Sequence, residues 1–423
     1  MLSLFDTIRR YKTPLLYSVS SVLKALATII SGIIVAKYIF PNDLGLWTII
    51  SLALTYSLFL QAGLVNGLNL ELPYAYGHSN NEYAKRMAGV VQTFTVSVSV
   101  FVLIVGIICF LCLQNNEPKI RYGILAVSII IAFTFYQNYL LSTFRSNNSF
   151  QKLSVIQIVD ACNNVFSLIL VVYFAYYGMI VKAIVVIVVF VLLLHIFRPI
   201  KVGFLWNKTI FLKLLKVGIL IFALSYLEAT ALTSDKLWLT RFSTITEVGL
   251  YAFALYALNL FITLSSSVAS YIYPRMSYDY GKTGDKIRLW KKVKKITWIL
   301  VLFQFPLVVI GFLLIPIVIS KFFPNYLLST TPMQILLIAG YFKGCTAGMN
   351  AMTSTRSWRH LSLNIIIYAF LLFTLTFIGI KIANNKIEGV ACGILVANMI
   401  YLISGLCFTY KALLRKSRPI EQI

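Results

Sequence analysis

The chain has 423 residues, 59% hydrophobic and 12% charged, with a mean hydropathy of +0.85. A soluble domain carries roughly 25% charged residues, so this composition excludes a water-soluble body of such length. The net charge of +24 points first to nucleic acid, but in so apolar a chain basic residues serve to hold cytoplasmic loops in place, and no nucleic-acid partner is expected.

Met1–Lys12 is polar and basic, and the apolar stretch after it is long enough to span and lacks an Ala-x-Ala site, so no cleavable signal peptide is expected. A bilayer core about 30 Å thick takes about 20 apolar residues per helix. Runs of that length, divided by Pro, Gly, Asn and charge, predict spans at 15–36, 44–70, 89–112, 122–143, 153–176, 181–197, 217–239, 248–272, 296–320, 330–352, 363–381 and 389–410. Trp298–Ser320 contains no charge at all, unlike a barrel strand, whose inward positions are polar every second residue. The expected fold is therefore all-α and polytopic, with about twelve transmembrane helices. Every connection is short, so the work of the protein falls to the helices.

Placing the N-terminus in the cytoplasm puts 26 Lys and Arg on that side and 8 on the other, with Lys24, Lys236 and Lys343 inside spans. This is the positive-inside bias, and it puts both termini in the cytoplasm. An internal repeat is also visible. Lys37-Tyr-Ile-Phe-Pro-Asn-Asp43-Leu-Gly45-Leu-Trp47 is echoed 204 residues on by Arg241-Phe-Ser-Thr-Ile-Thr-Glu247-Val-Gly249-Leu-Tyr251. Leu72-Pro73-Tyr74 is echoed by Tyr273-Pro274-Arg275, and Ser142-Thr-Phe-Arg145-Ser by Thr353-Ser-Thr-Arg356-Ser. The reading is two six-helix halves, 1–200 and 201–423, repeated in parallel about an axis along the membrane normal. Transporters built this way hold their substrate between the halves.

An ionisable group inside a span costs several kcal/mol unless paired or hydrated, so each is a functional candidate. They are Lys24, Asp160, Glu228, Asp235, Lys236 and Lys343. Lys24 and Glu228 are 204 residues apart, symmetry-equivalent under the repeat, and read either as an ion pair or as the lining of a hydrated cavity. Asp160, Asn163 and Asn164 make a polar stripe facing the protein interior. Asp235 and Lys236 are adjacent and do not face one another on a helix. Lys343 is flanked by Gly340, Gly344 and Gly348, a packing ridge that holds the lysine close to a neighbouring helix. The six cysteines lie in apolar runs and read as buried small hydrophobes; no metal, disulfide or cofactor is expected.

At these repeats the chain resembles a known family. Tyr38-Ile-Phe-Pro41-Asn-Asp-Leu-Gly45-Leu-Trp47 is similar to a signature of the polysaccharide-exporter branch of the multidrug/oligosaccharidyl-lipid/polysaccharide superfamily. Asp235-Lys236 through Gly249-Leu-Tyr251, Tyr273-Pro274-Arg275-Met-Ser277 and Phe322-Phe-Pro324-Asn-Tyr326 resemble further segments of that branch, in the same order. Length and span number look like those of Wzx-type flippases of O-antigen or capsule repeat units. The resemblance implies a MATE-like fold in the bacterial inner membrane and a role in polysaccharide or lipopolysaccharide biosynthesis. It implies a cargo of undecaprenyl-pyrophosphate-linked oligosaccharide, moved from the cytoplasmic to the periplasmic leaflet by alternating access, beside polysaccharide polymerase and chain-length machinery. It carries over no defined catalytic motif.

The residues fit such a cargo. Lys24 and Lys343, with Arg145, Arg275 and Arg356 at the cytoplasmic ends, can neutralise a pyrophosphate, and Arg suits bidentate phosphate contacts. Coupling to H+ or Na+ falls to Asp160 or Glu228. The alternative is a cation-coupled small-molecule or drug antiporter of the same fold, which would show unpaired acids. A membrane enzyme is disfavoured, since no large outer loop or acidic catalytic cluster is present.

Overall fold

The computed structural model describes residues 2–78, 80–115 and 117–414. Among these, all regular structure is helical. The chain forms two compact units, Met1–Thr233 and Ser234–Ile423. Ten helices are long and apolar enough by themselves to cross a membrane. The twelve expected spans all fall on helical segments, but four of them are broken, and two of these, at 153–176 and 330–352, begin on helices of only 17 and 15 residues that are not among the ten.

In the first unit, α1 (Leu2–Tyr38) is followed by α2 (Pro41–Ser57) and α3 (Leu64–Gly77). The span expected at 44–70 is thus two helices, parted by a 3₁₀ turn and by two left-handed residues, Ala62 (φ 49°) and Gly63 (φ 81°). After α4 (Asn81–Cys112) and α5 (Pro118–Ser146) come α6 (Phe150–Phe166) and α7 (Leu168–Ile196). α7 is itself interrupted at Ala175, whose φ of 45° and ψ of −118° are not helical. A Cβ on Gly178 would meet the backbone of Leu170 and Val171. Residues eight apart in a straight helix stand about 12 Å apart, so the chain reverses at Ala175, between the two spans expected at 153–176 and 181–197.

α8 (Lys208–Ala231) completes this unit. It lies against α3 through backbone contact. A Cβ on Gly67 would strike the carbonyl of Leu214, and one on Gly218 would strike the carbonyl of Gly63 and the backbone of Gly67. Small residues are what allow membrane helices to approach this closely. Leu64, Leu68 and Leu72 of α3, Met87 and Val91 of α4, Tyr139 and Phe144 of α5, and Leu214 of α8 share one buried cluster. The packing boundary after Thr233 therefore comes later than the repeat boundary at 200, because α8 is packed with the helices before it.

The second unit holds α9 (Ser234–Phe242), α10 (Ile245–Thr283), α11 (Lys286–Phe322), α12 (Thr330–Gly344), α13 (Ala351–Ser354), α14 (Trp358–Ile382) and α15 (Lys386–Leu414). The span expected at 217–239 is split between α8 and α9. That at 330–352 is split by a 3₁₀ segment, Cys345–Asn350. The glycine ridge of α12 packs as expected: Gly340 lies on Leu258 of α10, Gly344 on Gln304 of α11, and Gly348 on Val293 and Thr297 of α11. Of the cysteines only Cys345 is buried, and Cys112, Cys162, Cys392 and Cys407 are exposed on apolar helices, which corrects the reading of all six as interior.

The repeat is legible in the backbone. Tyr38 ends α1 and Pro41 begins α2; 204 residues on, Phe242 ends α9 and Ile245 begins α10. Both N-cap residues, Phe40 and Thr244, are extended, and each following first turn holds an acid, Asp43 or Glu247. The third echo holds at a different offset. The end of α5 closes with Ser149 N–H on Phe144 O and Asn148 N–H on Arg145 O. The end of α13 closes with Ser357 N–H on Met352 O and Arg356 N–H on Thr353 O. These are matched Schellman closures, with Asn148 and Arg356 both at φ 53°. The structural partner of Arg145 is therefore Thr353, not Arg356.

The α3–α8 crossing leaves no room for a side chain. Gly218→Leu should lower stability by at least about 1–3 kcal/mol, the usual cost of overpacking, whereas Gly77→Ala, which meets nothing within 4 Å, should stay within ~0.5 kcal/mol of the parent. Denaturant unfolding in detergent checks both.

Candidate functional site

One set of polar groups in the first unit converges on a seam between α1, α6 and α7. On α1 the residues Ser20, Ser21, Lys24 and Thr28 recur at helical spacing and so share a face. On α6 the residues Gln157, Asp160 and Asn164 do the same. Ser20 and Ser21 donate to Gln157 Oε1 at 2.8 and 3.1 Å. Lys24 Nζ is 2.8 Å from Asp160 Oδ2. Asn164 donates weakly to Thr28 Oγ1 at 3.4 Å. Lys182 of α7 then donates to Asn164 Oδ1 at 2.9 Å. Successive helical turns are thus zipped by side-chain bonds in a region otherwise apolar.

Lys24 is the exposed member of the pair. Its side chain is 31% accessible while that of Asp160 is 2%, and its ammonium lies 3.4 Å from the centroid of the Phe190 ring. The carboxylate and the aromatic face fix the cation. Of the two readings of Lys24 and Glu228, an ion pair or a cavity lining, neither names the partner seen here: Lys24 pairs with Asp160 on the adjacent helix. Glu228 lies one turn before the end of α8, half-buried and partnered. The interior stripe expected on α6 is present in Asp160 and Asn164, which are buried, with Asn163 partly so.

Lys182 is no candidate on sequence, since it falls next to the boundary expected at 181 and reads as an outer-loop residue. The signal that finds it is the apolar run on both sides, Leu168–Phe174 and Ala183–Leu194, which leaves a lysine just inside a span. With it the seam holds two lysines to one carboxylate. A net positive charge inside a helical seam suits an anion and disfavours a cation.

In the second unit Lys343 stands between two rings. Its Nζ is 4.0 Å from the centroid of Tyr368 on α14 and 4.1 Å from that of Tyr401 on α15. The rings are held in turn: Tyr368 donates to Asn398 Oδ1 at 2.8 Å, and Asn398 donates to Ala339 O at 3.0 Å. The lysine thus lies beside the glycine ridge and faces α14 and α15.

Asp235 is buried at the start of α9, where its Oδ2 accepts from Tyr251 Oη at 2.6 Å and its Oδ1 from the Lys236 N–H at 2.7 Å. A carboxylate in the first turn of a helix is favoured by the exposed N–H groups there. It thus stands in the first turn after the break, and Lys236 is joined to it through the backbone N–H. Arg145 and Arg356 are exposed at the closures that end α5 and α13. Arg275 lies on α10, but its side chain is outside the described residues, as are Arg415, Lys416 and Arg418. The structure brings Lys24 and Asp160 together. A second charged contact, Glu71 with Lys213 at 3.0 Å, joins α3 to α8, and sequence reading missed it because Glu71 falls just past an expected span.

If Lys24 and Asp160 depend on one another, Lys24→Met should destabilise by roughly 1–3 kcal/mol, less than the ~3–5 kcal/mol of a fully buried pair because Lys24 is partly exposed. The double change Lys24→Met/Asp160→Leu should recover most of that loss, as read by thermal unfolding in detergent.

Comparison with known proteins follows the same lines. No curated protein sequence matches the chain. A solved structure of the lipid II flippase MurJ in an inward closed conformation is 16% identical, covers 94% of this chain and 87% of its own, and superposes with a TM-score of 0.70. The MATE multidrug transporter DinF-BH is 15% identical over 95% of this chain and 94% of its own, with a TM-score of 0.67. The Vibrio cholerae MATE transporter VcmN, in its bent form, is 17% identical over 95% of this chain and 96% of its own, with a TM-score of 0.60. At these identities the likeness establishes a MATE-like membrane fold. The family model described as polysaccharide biosynthesis protein matches residues 34–330, well over half of the 423, and the chain belongs to that family.

Proposed function

We propose that this protein is a flippase of the bacterial inner membrane, and not an enzyme, that carries polyprenyl-pyrophosphate-linked oligosaccharide repeat units of O-antigen or capsule from the cytoplasmic to the periplasmic leaflet. It crosses the membrane twelve times with both termini in the cytoplasm and works by alternating access. The observation that carries this reading is the cationic seam of the first unit, in a chain of the polysaccharide biosynthesis family. A pyrophosphate bears at least two negative charges, and carrying it through a low-dielectric slab costs far more than moving sugar or lipid. A partly exposed lysine, held at depth by Asp160 and Phe190, offsets that cost. MurJ, a lipid II flippase by its description, supports a lipid-linked cargo on this fold.

Asp160 is the resting partner of the lysine. While ionised it holds Lys24 at 2.8 Å, and an incoming phosphate takes its place at the ammonium. Coupling to H+ or Na+ falls to Asp160 or Glu228. The drug antiporter reading draws on the same fold, but two lysines beside one acid oppose a cationic cargo. Polymerase and chain-length proteins are the expected consumers of the translocated unit.

In a strain lacking the chromosomal copy, Lys24→Ala should abolish surface polysaccharide while the protein still inserts, and Lys24→Arg should restore part of it. The double variant Lys24→Met/Asp160→Leu, stable but without the cation, should remain inactive. Normal polysaccharide from the double variant would sink the proposal, and immunoblot of polymer and membrane protein reads both quantities.

A further inference from the structure

On the second unit, α11 and α15 enclose an open groove of about 530 Å³, lined among others by Trp290, Lys294, Trp298, Leu406, Tyr410 and Lys411. That volume is within the ~300–1,000 Å³ typical of small-ligand sites. Its position along the helices is informative. Lys286–Lys295 carries six basic residues and no acid, and the uncharged run begins directly after it. The groove sits at that junction, where headgroups meet acyl chains. By the lysine and arginine bias it belongs to the cytoplasmic leaflet.

Lys294 and Lys411 line the groove from different helices, chiefly through their hydrocarbon stems, and neither is in an ion pair among the described residues. Trp290 and Tyr410 meet edge to face at 5.4 Å between centroids and make a rigid wall. Below them Trp298 is 64% exposed, and the exposed apolar residues Leu302 and Phe305 continue along α11, with Ile403 on α15. Two basic residues thus border a lining that is nearly all hydrocarbon, and the bare track continues along both helices. A soluble phosphate would use the first and leave the second uncovered; a bilayer lipid uses both. Trp298, one turn beyond Lys294 toward the uncharged run, is suited to the glycerol level, and basic grooves between helices recruit anionic headgroups.

We propose that this groove is a binding site for an anionic phospholipid of the surrounding bilayer, its phosphate between Lys294 and Lys411 and its acyl chain along Trp298 and Leu302. The site lies within the second unit and is independent of the cargo reading and of the Lys24 seam.

Native mass spectrometry of the purified full-length protein, titrated separately with phosphatidylglycerol and phosphatidylcholine, tests it. The parent protein should retain one phosphatidylglycerol in clear preference to phosphatidylcholine. Lys294→Gln/Lys411→Gln should weaken that binding roughly tenfold or more, and Lys294→Arg/Lys411→Arg should keep it. The control Lys291→Gln/Lys295→Gln removes the same charge from the same basic run, outside the groove, and should leave binding within about threefold of the parent. Equal retention of the two lipids by the parent overturns the proposal. So does an equal loss in both glutamine pairs, since a diffuse basic field then accounts for the binding.

Discussion

A charge inside an apolar helical body must find a partner, and the organisation of the first unit follows from that requirement. Lys24 and Asp160 are each costly alone and tolerable together. Meeting at 2.8 Å forces α1 and α6 into one register, and the serines, Gln157, Asn164 and Lys182 extend that register over several turns. The pair also leaves a remainder. The carboxylate is closed off and the ammonium is not, so the seam presents a partly exposed cation beside a buried acid.

The breaks in the helices serve the same end. Continuous membrane helices satisfy their own backbone and offer a ligand little. Here α8 stops at Ala231 and α9 begins at Ser234, with buried Asp235 in its first turn. α12 gives way to 3₁₀ structure directly after Lys343 and Gly344. The left-handed pair Ala62 and Gly63 parts α2 from α3 where Gly218 of α8 comes into backbone contact. At the first two of these breaks, charged side chains and non-helical backbone are thus placed beside one another.

Much of this was legible in the sequence. All-helical architecture, the polar stripe of α6, the glycine ridge of α12 and the repeat at an offset of 204 are each a matter of residue spacing, which the backbone must obey. What was hidden depends on turns and on distance. The reversal at Ala175 lies in an unbroken apolar run, so Lys182 reads as lying outside. The break at Leu232–Thr233 has no proline or glycine to announce it. Symmetry assigned Glu228 to Lys24, but symmetry equates positions and does not bring side chains together, whereas packing of α1 on α6 does. The pairing of Arg145 with Arg356 failed for a related reason: similar letters at an offset of 211 obscured a backbone closure at 208.

The central claim is that a cationic seam on a MATE-like fold moves an anionic, lipid-linked glycan. Reconstitution is its most direct test. Vesicles loaded in both leaflets with a polyprenyl-pyrophosphate-linked oligosaccharide are exposed to a membrane-impermeant reagent that modifies the sugar. With the protein present and a proton gradient applied, the protected inner-leaflet fraction should become accessible, and Lys24→Met/Asp160→Leu should leave it protected. A fraction that stays protected with the parent protein, while the same vesicles take up a cationic dye, would contradict the account.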